Sequence, residues 1–248
     1  MRSCLCAALG ALLLTGPSTS AASGNGAEAA AQMKRMFPQT GIDGFLPSPI
    51  PGLYEVTAGG QIFYFSPEGY LVLGEIWSKD GQSITAQRRE QILAGKVKEL
   101  PLDKAVTIGN GPHQVIEFTD PDCPYCRKLD DYLSAREDIT RHIFFCPLET
   151  HPQARDKALY ILCSTDRETA KHEVFTGMWD GTRPSLKNCS TTLLDEHLRL
   201  AGAVGVRGTP TLWVNGKRIG GANIEAIASI LDNPNAKVQA KKRRATND

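Results

Sequence analysis

Residues 113–134 read HQVIEFTDPDCPYCRKLDDYLS, and the order of features within them decides the fold. His113 to Thr119 is rich in β-branched and aromatic residues and reads as a buried strand. Asp120, Pro121 and Asp122 interrupt it, and Cys123-Pro124-Tyr125-Cys126 then opens a helix running through Ser134. Pro124 suits the first helical turn, where there is no backbone N–H partner to lose. A cysteine at a helix N-terminus lies against unpaired N–H groups and the positive end of the helix dipole, which favour its thiolate. The thiolate is the attacking species, so Cys123 is the expected nucleophile. Cys126, one turn deeper, can attack Cys123 and resolve a mixed disulfide.

The other common use of Cys-x-x-Cys is half of a zinc site, which needs a second ligand pair at similar spacing. Cys163 and Cys189 are 26 residues apart and no His pair stands at ligand spacing, so no metal is expected. Redox use is favoured.

Downstream, Arg141 to Cys146 is a second strand and residues from Pro152 to about Trp179 are mostly helical. Thr192 to Val204 is another helix. Thr211 to Val214 and Lys217 to Ile219 are strands joined by the hairpin signal Asn215-Gly216, and a last helix spans Asn223 to Leu231. Strand, helix, strand, helices, hairpin, helix is the α/β order of a thioredoxin-like fold carrying a helical insertion.

Two further positions bear on the chemistry. Glu117 lies six residues before Cys123. It is either a buried carboxylate beneath Cys126, able to take its proton during resolution, or a strand-edge surface acid. Gly208-Thr209-Pro210-Thr211 precedes the hairpin, where a proline cannot join the strand ladder. A cis Thr209-Pro210 bond would present the Thr209 backbone to an incoming peptide near Cys123; an ordinary trans turn is the alternative.

Upstream of this half, Ala27 to Phe37 reads as a short helix stopped by Pro38. Gly52 to Thr57, Gln61 to Ser66 and Tyr70 to Trp77 read as strands of a small antiparallel sheet, separated by Gly59-Gly60 and Pro67-Glu68-Gly69. Thr85 can cap a polar helix from Ala86 to about Leu100, ended by Pro101, which reads as a linker between two domains. The small sheet leaves edges exposed and calls for a partner to cover them.

At the N-terminus, Arg2 is followed by the uncharged run Cys4 to Leu14 and then by Gly16, Pro17 and Ser20-Ala21-Ala22, the pattern of a cleaved export signal. Without residues 1–22 the chain has 27 basic and 27 acidic residues. Five of the basic residues (Lys237, Lys241, Lys242, Arg243, Arg244) sit in the last twelve positions, so the body before them carries net −4. Nothing in that balance points to a nucleic-acid binder, and the basic end, without aromatics, reads as a solvated tail. Five of the seven cysteines remain, in a compartment where disulfides persist.

Together, Cys123-Pro124-Tyr125-Cys126, Gly208-Thr209-Pro210 and the preceding small sheet and helix resemble the bacterial periplasmic disulfide isomerase family, DsbC and DsbG. The resemblance runs from about residue 27 to 232. Added to the leader and tail read above, it implies the following layout: a signal peptide over 1–22, an N-terminal cystatin-like dimerisation domain over 23–84, and a linker helix over 85–101. A thioredoxin-like catalytic domain over 102–232 and a flexible tail over 233–248 complete it. It further implies a periplasmic homodimer joined through the N-terminal domains and kept reduced by a membrane electron donor of the DsbD type. No cofactor is implied beyond the redox pair itself. By the same resemblance Cys123 is the nucleophile, Cys126 the resolving thiol and Pro210 the cis-proline, with Pro124, Tyr125 and Thr209 facing the client. Cys163 and Cys189 match the places of a second, structural disulfide in DsbC-like members; a rival pairing joins Cys146 to Cys163. The Pro-Tyr dipeptide is instead DsbG-like. Cys146, on an expected central strand, is the leftover thiol and reads as buried and inert.

The expected activity is isomerisation or reduction of wrong disulfides in misoxidised or unfolded clients. A reductase that rescues oxidised single cysteines and a redox-independent holdase are the alternatives.

Overall fold

The structure, a computed structural model, describes residues 22–186 and 189–233. Of the expected leader (1–22) and basic tail (233–248), residues 1–21 and 234–248 lie outside the described residues. The chain divides into two compact units at Thr85 and Ala86.

In the first unit, helix α1 (Ala22–Met36) precedes strands β1 (Gly44–Pro47), β2 (Tyr54–Ala58), β3 (Gln61–Phe65) and β4 (Leu71–Val72), which form an antiparallel sheet in that order. Ala29 and Met33 of α1 are buried with Val56 and Phe65 of the sheet, so one helical stripe and one sheet face close a small core. Strand β1 was not expected. It is an edge strand ending at Pro47, where a missing N–H costs no ladder bond. The strand expected over Tyr70 to Trp77 shrinks to Leu71–Val72. Beyond it the chain turns back between Ser78 and Gln82, and Trp77 keeps only an isolated bridge to Ser83. Thr85 does not cap the following helix, α2 (Ile84–Lys98), but lies inside its first turn. Its buried hydroxyl accepts the Ile76 N–H at 2.8 Å and meets the Tyr64 hydroxyl, which draws it away from a capping position.

In the second unit, Val97 and Leu100 share a buried cluster with Phe118, Phe144 and Trp213. The helix expected as a polar linker therefore lends an apolar stripe to this unit's core. A single turn (Leu102–Lys104) leads into β5 (Val106–Ile108), a three-residue strand too short to show in the pattern. The remaining elements are β6 (His113–Thr119), α3 (Pro124–Ser134), β7 (Ile139–Phe145), α4 (Ala154–Cys163) and α5 (Arg167–Phe175). They are followed by α6 (Leu193–Ala203), β8 (Thr211–Val214), β9 (Lys217–Gly220) and α7 (Ile224–Leu231). The sheet order is β5-β7-β6-β8-β9, with β6 parallel to β7 and antiparallel to β8.

Alternation along β6 and β7 divides their side chains between two faces. Val115 packs with Leu129 and Leu133 of α3 and Ile227 and Leu231 of α7, whereas Phe118 and Phe144 stack at 5.0 Å among α2 and α6 residues. Because β6 and β7 run parallel and end together, Thr119 and Asp120 emerge beside the chain leaving β7, and the Cys146 N–H donates to the Thr119 carbonyl at 2.7 Å. Cys146 was expected on the central strand. It follows the strand's last residue and is half-buried rather than buried, because the chain has already left the sheet.

Candidate active site

The candidate site lies at the C-terminal end of β6. Asp120, Pro121 and Asp122 turn the chain into α3, with Cys123 as its N-cap and Pro124 in the first turn. The Cys123 N–H donates to the Asp120 carbonyl at 3.2 Å and the Cys123 carbonyl accepts the Arg127 N–H at 3.1 Å, so both its backbone groups are fixed. No capping hydrogen bond from the helix reaches the Cys123 sulfur. Instead the thiol donates to the Thr209 carbonyl at 3.6 Å. The Thr209-Pro210 bond is cis, and the Pro210 carbonyl accepts the Gly221 N–H at 2.8 Å. Pro124 and Tyr125 are both exposed, Tyr125 at 66%, while Cys123 and Cys126 are buried, so the dipeptide between the cysteines is the outward feature of the motif.

Cys126 is a free thiol with no exposed surface. Burial pushes its thiol far above the ordinary cysteine range, and the nearby Cys123 adds to the rise. Three donors oppose it: the Thr119 and Thr209 hydroxyls and the Asp120 N–H, the last at 3.4 Å from Sγ. Both hydroxyl oxygens are buried and have no hydrogen-bond partner in the structure. They are placed to donate to a thiolate when one forms at Cys126.

Charged groups missed by the sequence reading surround this pair. Arg127 directs two nitrogens at the two carboxylate oxygens of Asp180, each at 2.7 Å, and its Nε at the Pro121 carbonyl at 2.9 Å. Lys157, 1% exposed, bridges Asp122 at 2.5 Å and Asp180 at 3.0 Å. Arg127 and Lys157 hold the Asp180 carboxyl well below the usual carboxylate range. Arg127 adjoins the motif and could have been singled out on that ground. Lys157 and Asp180 lie 31 and 54 residues beyond Cys126 in positions that read as surface, and only folding brings them here.

Glu117 is fully buried, which removes the surface-acid alternative. Its Oε2 accepts from Arg141 at 2.8 Å; Arg141 also donates to Asp130 at 2.7 Å, and Asp130 pairs with Lys171. Although burial pushes the Asp130 carboxyl up, Arg141 and Lys171 outweigh it and hold it below the ordinary aspartate value. The other oxygen of Glu117, Oε1, is buried without a partner. Farther off, Cys163 and Cys189 are joined by a disulfide, so Cys146 is not paired with Cys163. Among the described residues no group of three His, Cys, Asp or Glu side chains is arranged to hold a metal ion, and no helix is long and apolar enough to cross a membrane.

A central β6 ending in a dithiol at a helix N-terminus, opposite a cis-proline, defines a thioredoxin-fold dithiol protein. Family models describe the same two units: a thioredoxin-like domain matches residues 100–233, and a disulfide bond isomerase protein N-terminal domain matches residues 20–86. The chain belongs to the DsbC/DsbG family. It is 32% identical over 166 residues to the "Probable thiol:disulfide interchange protein DsbC" of Bordetella avium, covering 65% of this chain and 58% of that one. It is 28% identical to the thiol:disulfide interchange protein DsbG of Pseudomonas aeruginosa, covering 62% and 65% of the two chains. The match thus spans about 58–61% of the length of the Bordetella relatives. Among solved structures, a linker-deletion mutant of Proteus mirabilis ScsC matches with a TM-score of 0.52 at 18% identity, over 64% of this chain and 87% of that one, and shows the shared fold.

Proposed function

We propose that the protein is a thiol-disulfide interchange enzyme that isomerises or reduces wrong disulfides in client proteins. The observation that carries this reading is the pair Cys123 and Cys126, both free, with the first beneath the Thr209 carbonyl and the second ringed by donors. The Cys123 thiolate attacks a client disulfide, forming a bond to one client sulfur while the other leaves as a thiolate and takes up a proton. A client thiol then displaces Cys123 to give a rearranged bond, or Cys126 displaces the client sulfur and closes the Cys123–Cys126 disulfide. Glu117, with a buried and unpartnered Oε1, is the candidate acceptor for the proton that Cys126 gives up. The edge made by Thr209 and Pro210, with Pro124 and the exposed Tyr125, is where the client chain lies. No cofactor beyond the dithiol is needed, and a membrane donor of the DsbD type restores the reduced pair.

The same reading makes the protein a periplasmic homodimer. Its support is the edge strand β4, where Leu71 and Val72 are flanked by Tyr70 at 69% and Leu73 at 81% exposure. An apolar strand edge of that kind is a site for pairing with another chain. The DsbG-like Pro-Tyr dipeptide keeps one second reading in place, rescue of sulfenylated single cysteines.

Assays of the reduced protein on a scrambled-disulfide client and on a sulfenylated single-cysteine client separate the two. Recovery of native disulfides in the first, abolished by Cys123→Ser, is the expected result. Turnover of the second client alone would assign the reductase role instead.

A further inference from the structure

Asp120 touches the frame of both cysteines. Its carbonyl accepts the Cys123 N–H and its N–H points at Cys126 Sγ. Its carboxylate, with no exposed surface, accepts three hydrogen bonds: Oδ1 from the Asp122 N–H at 2.7 Å, and Oδ2 from the Leu148 N–H at 2.7 Å and His151 Nδ1 at 2.8 Å. With both oxygens occupied and turned toward these donors, the side chain anchors the turn while the main chain faces the sulfurs. His151 is the outer member, its side chain 25% exposed, and it joins the segment after β7 to the turn before α3. We propose that Asp120, clamped by His151, is a positioning residue that aims its N–H at Cys126 and so sets how fast Cys126 releases a bound client. The division between reduction and rearrangement of client disulfides follows from that rate.

The inference rests on the dithiol function proposed above and deepens it. In the release step Cys126 gives up its proton and its sulfur bonds to Cys123 Sγ. The Cys123–client bond breaks, and the client sulfur leaves as a thiolate that takes up a proton. The protein pair is oxidised by two electrons and the client reduced by two. A hydrogen bond to the charged form favours that form, so an N–H held on Sγ lowers the barrier to making the thiolate in a site whose burial opposes it. The other groups acting on this sulfur are Thr119, Thr209 and Cys123, none of which is held by His151. Loosening the clamp therefore weakens one donor of three. None of the carboxylate's hydrogen bonds reaches the Cys123 sulfur, and Cys123 meets Asp120 only through its own N–H, so its attack on the client changes less than the release step.

The test uses the full chain in a Cys146→Ser background and an aromatic disulfide probe whose released thiolate absorbs visible light. Attack by Cys123 releases the first equivalent in a second-order phase, and closure by Cys126 releases the second in a first-order phase. For His151→Ala, loss of one hydrogen bond in the clamp is expected to slow the second phase about three- to tenfold and to raise the midpoint of its pH profile, with the first phase within about twofold. His151→Gln, which keeps an N–H donor for Asp120, is expected to recover the second phase to within about twofold of the parent. Asp120→Asn is the companion variant and is expected to slow the same phase. An unchanged second phase in His151→Ala, or equal slowing of both phases, overturns the positioning role and leaves the dithiol function standing. A parent protein that shows no second phase overturns the dithiol function, and this inference with it.

Discussion

Cys123 and Cys126 stand three residues apart and are held as thiols, whereas Cys163 and Cys189 stand 26 apart and are bonded. The first pair sits where a strand ends, beneath a cis-proline and among donors with nothing else to bond. The second closes a loop across the helical insertion between α4 and the chain leading to α6. The difference teaches that the surroundings of a sulfur, and not its presence in a pair, decide what it does. Polar groups placed to serve a thiolate suit one pair to the proposed exchange, and a closed loop makes the other a brace.

The largest effect is expected in the buried charge cluster around Glu117. Arg141 joins Glu117 and Asp130 in a site that is almost wholly buried, and removing one partner leaves an uncompensated charge there. Arg141→Ala is predicted to lower stability by about 3–5 kcal/mol in denaturant unfolding. A loss under 1 kcal/mol would show that water reaches this cluster and that the thiols do not rest on buried charge.

Next comes the brace. Replacing Cys163 and Cys189 by Ala together is predicted to cost about 3 kcal/mol through the entropy of the opened loop, with thiol exchange at Cys123 retained. Loss of exchange in a variant that remains folded would mean that the bonded pair belongs to the reagent after all.

A smaller effect is expected from acid. Burial lowers the pKa of His142 and His197. His197 Nδ1 accepts the Phe145 N–H at 3.0 Å while Nε2 donates to the Lys104 carbonyl at 2.9 Å, an arrangement that requires the neutral ring. Both histidines take up protons more readily unfolded, so their contribution is present above the unfolded value of about 6.5 and is lost as pH falls below it. The depressed Asp130 adds a second loss below about pH 4, by the same sign. Tm is therefore predicted to decline in two stages on titration from pH 8 to 3. A flat Tm between pH 8 and 5 contradicts the first stage.

The smallest effect is expected at Cys146. It is half-buried, and burial together with Asp120 raises its thiol above the ordinary value, so it is a poor thiolate. Cys146→Ser is predicted to change stability and exchange rate by less than about 1 kcal/mol and twofold. A larger loss of exchange would make it a third reactive cysteine and blur the division into two pairs.

Much of this was legible in the sequence because it is local. Strand β6, the turn and α3 announce themselves through alternation, proline and the cysteine spacing, and the Asn215-Gly216 turn marks the hairpin. Strands β1 and β5 were illegible because three or four residues carry no period. Thr85 passed for a cap because its real partners, Tyr64 and Ile76, lie 21 and 9 residues away. Within the site, the residues proposed to react were readable and those that hold them were not. Asp120 carried a faint signal, an acid just past a buried strand whose side chain bonds the N–H two residues on. Lys157, Asp180 and His151 carried none, since an isolated charged residue on a helix or loop reads as solvated until folding supplies its partner.

The central claim, that Cys123 attacks and Cys126 releases, is tested most directly with the Cys126→Ser variant. Mixed with a disulfide-bearing client and mapped by peptide mass spectrometry, it is predicted to accumulate a covalent adduct whose protein sulfur is Cys123. Absence of an adduct, or an adduct through Cys146, would contradict it.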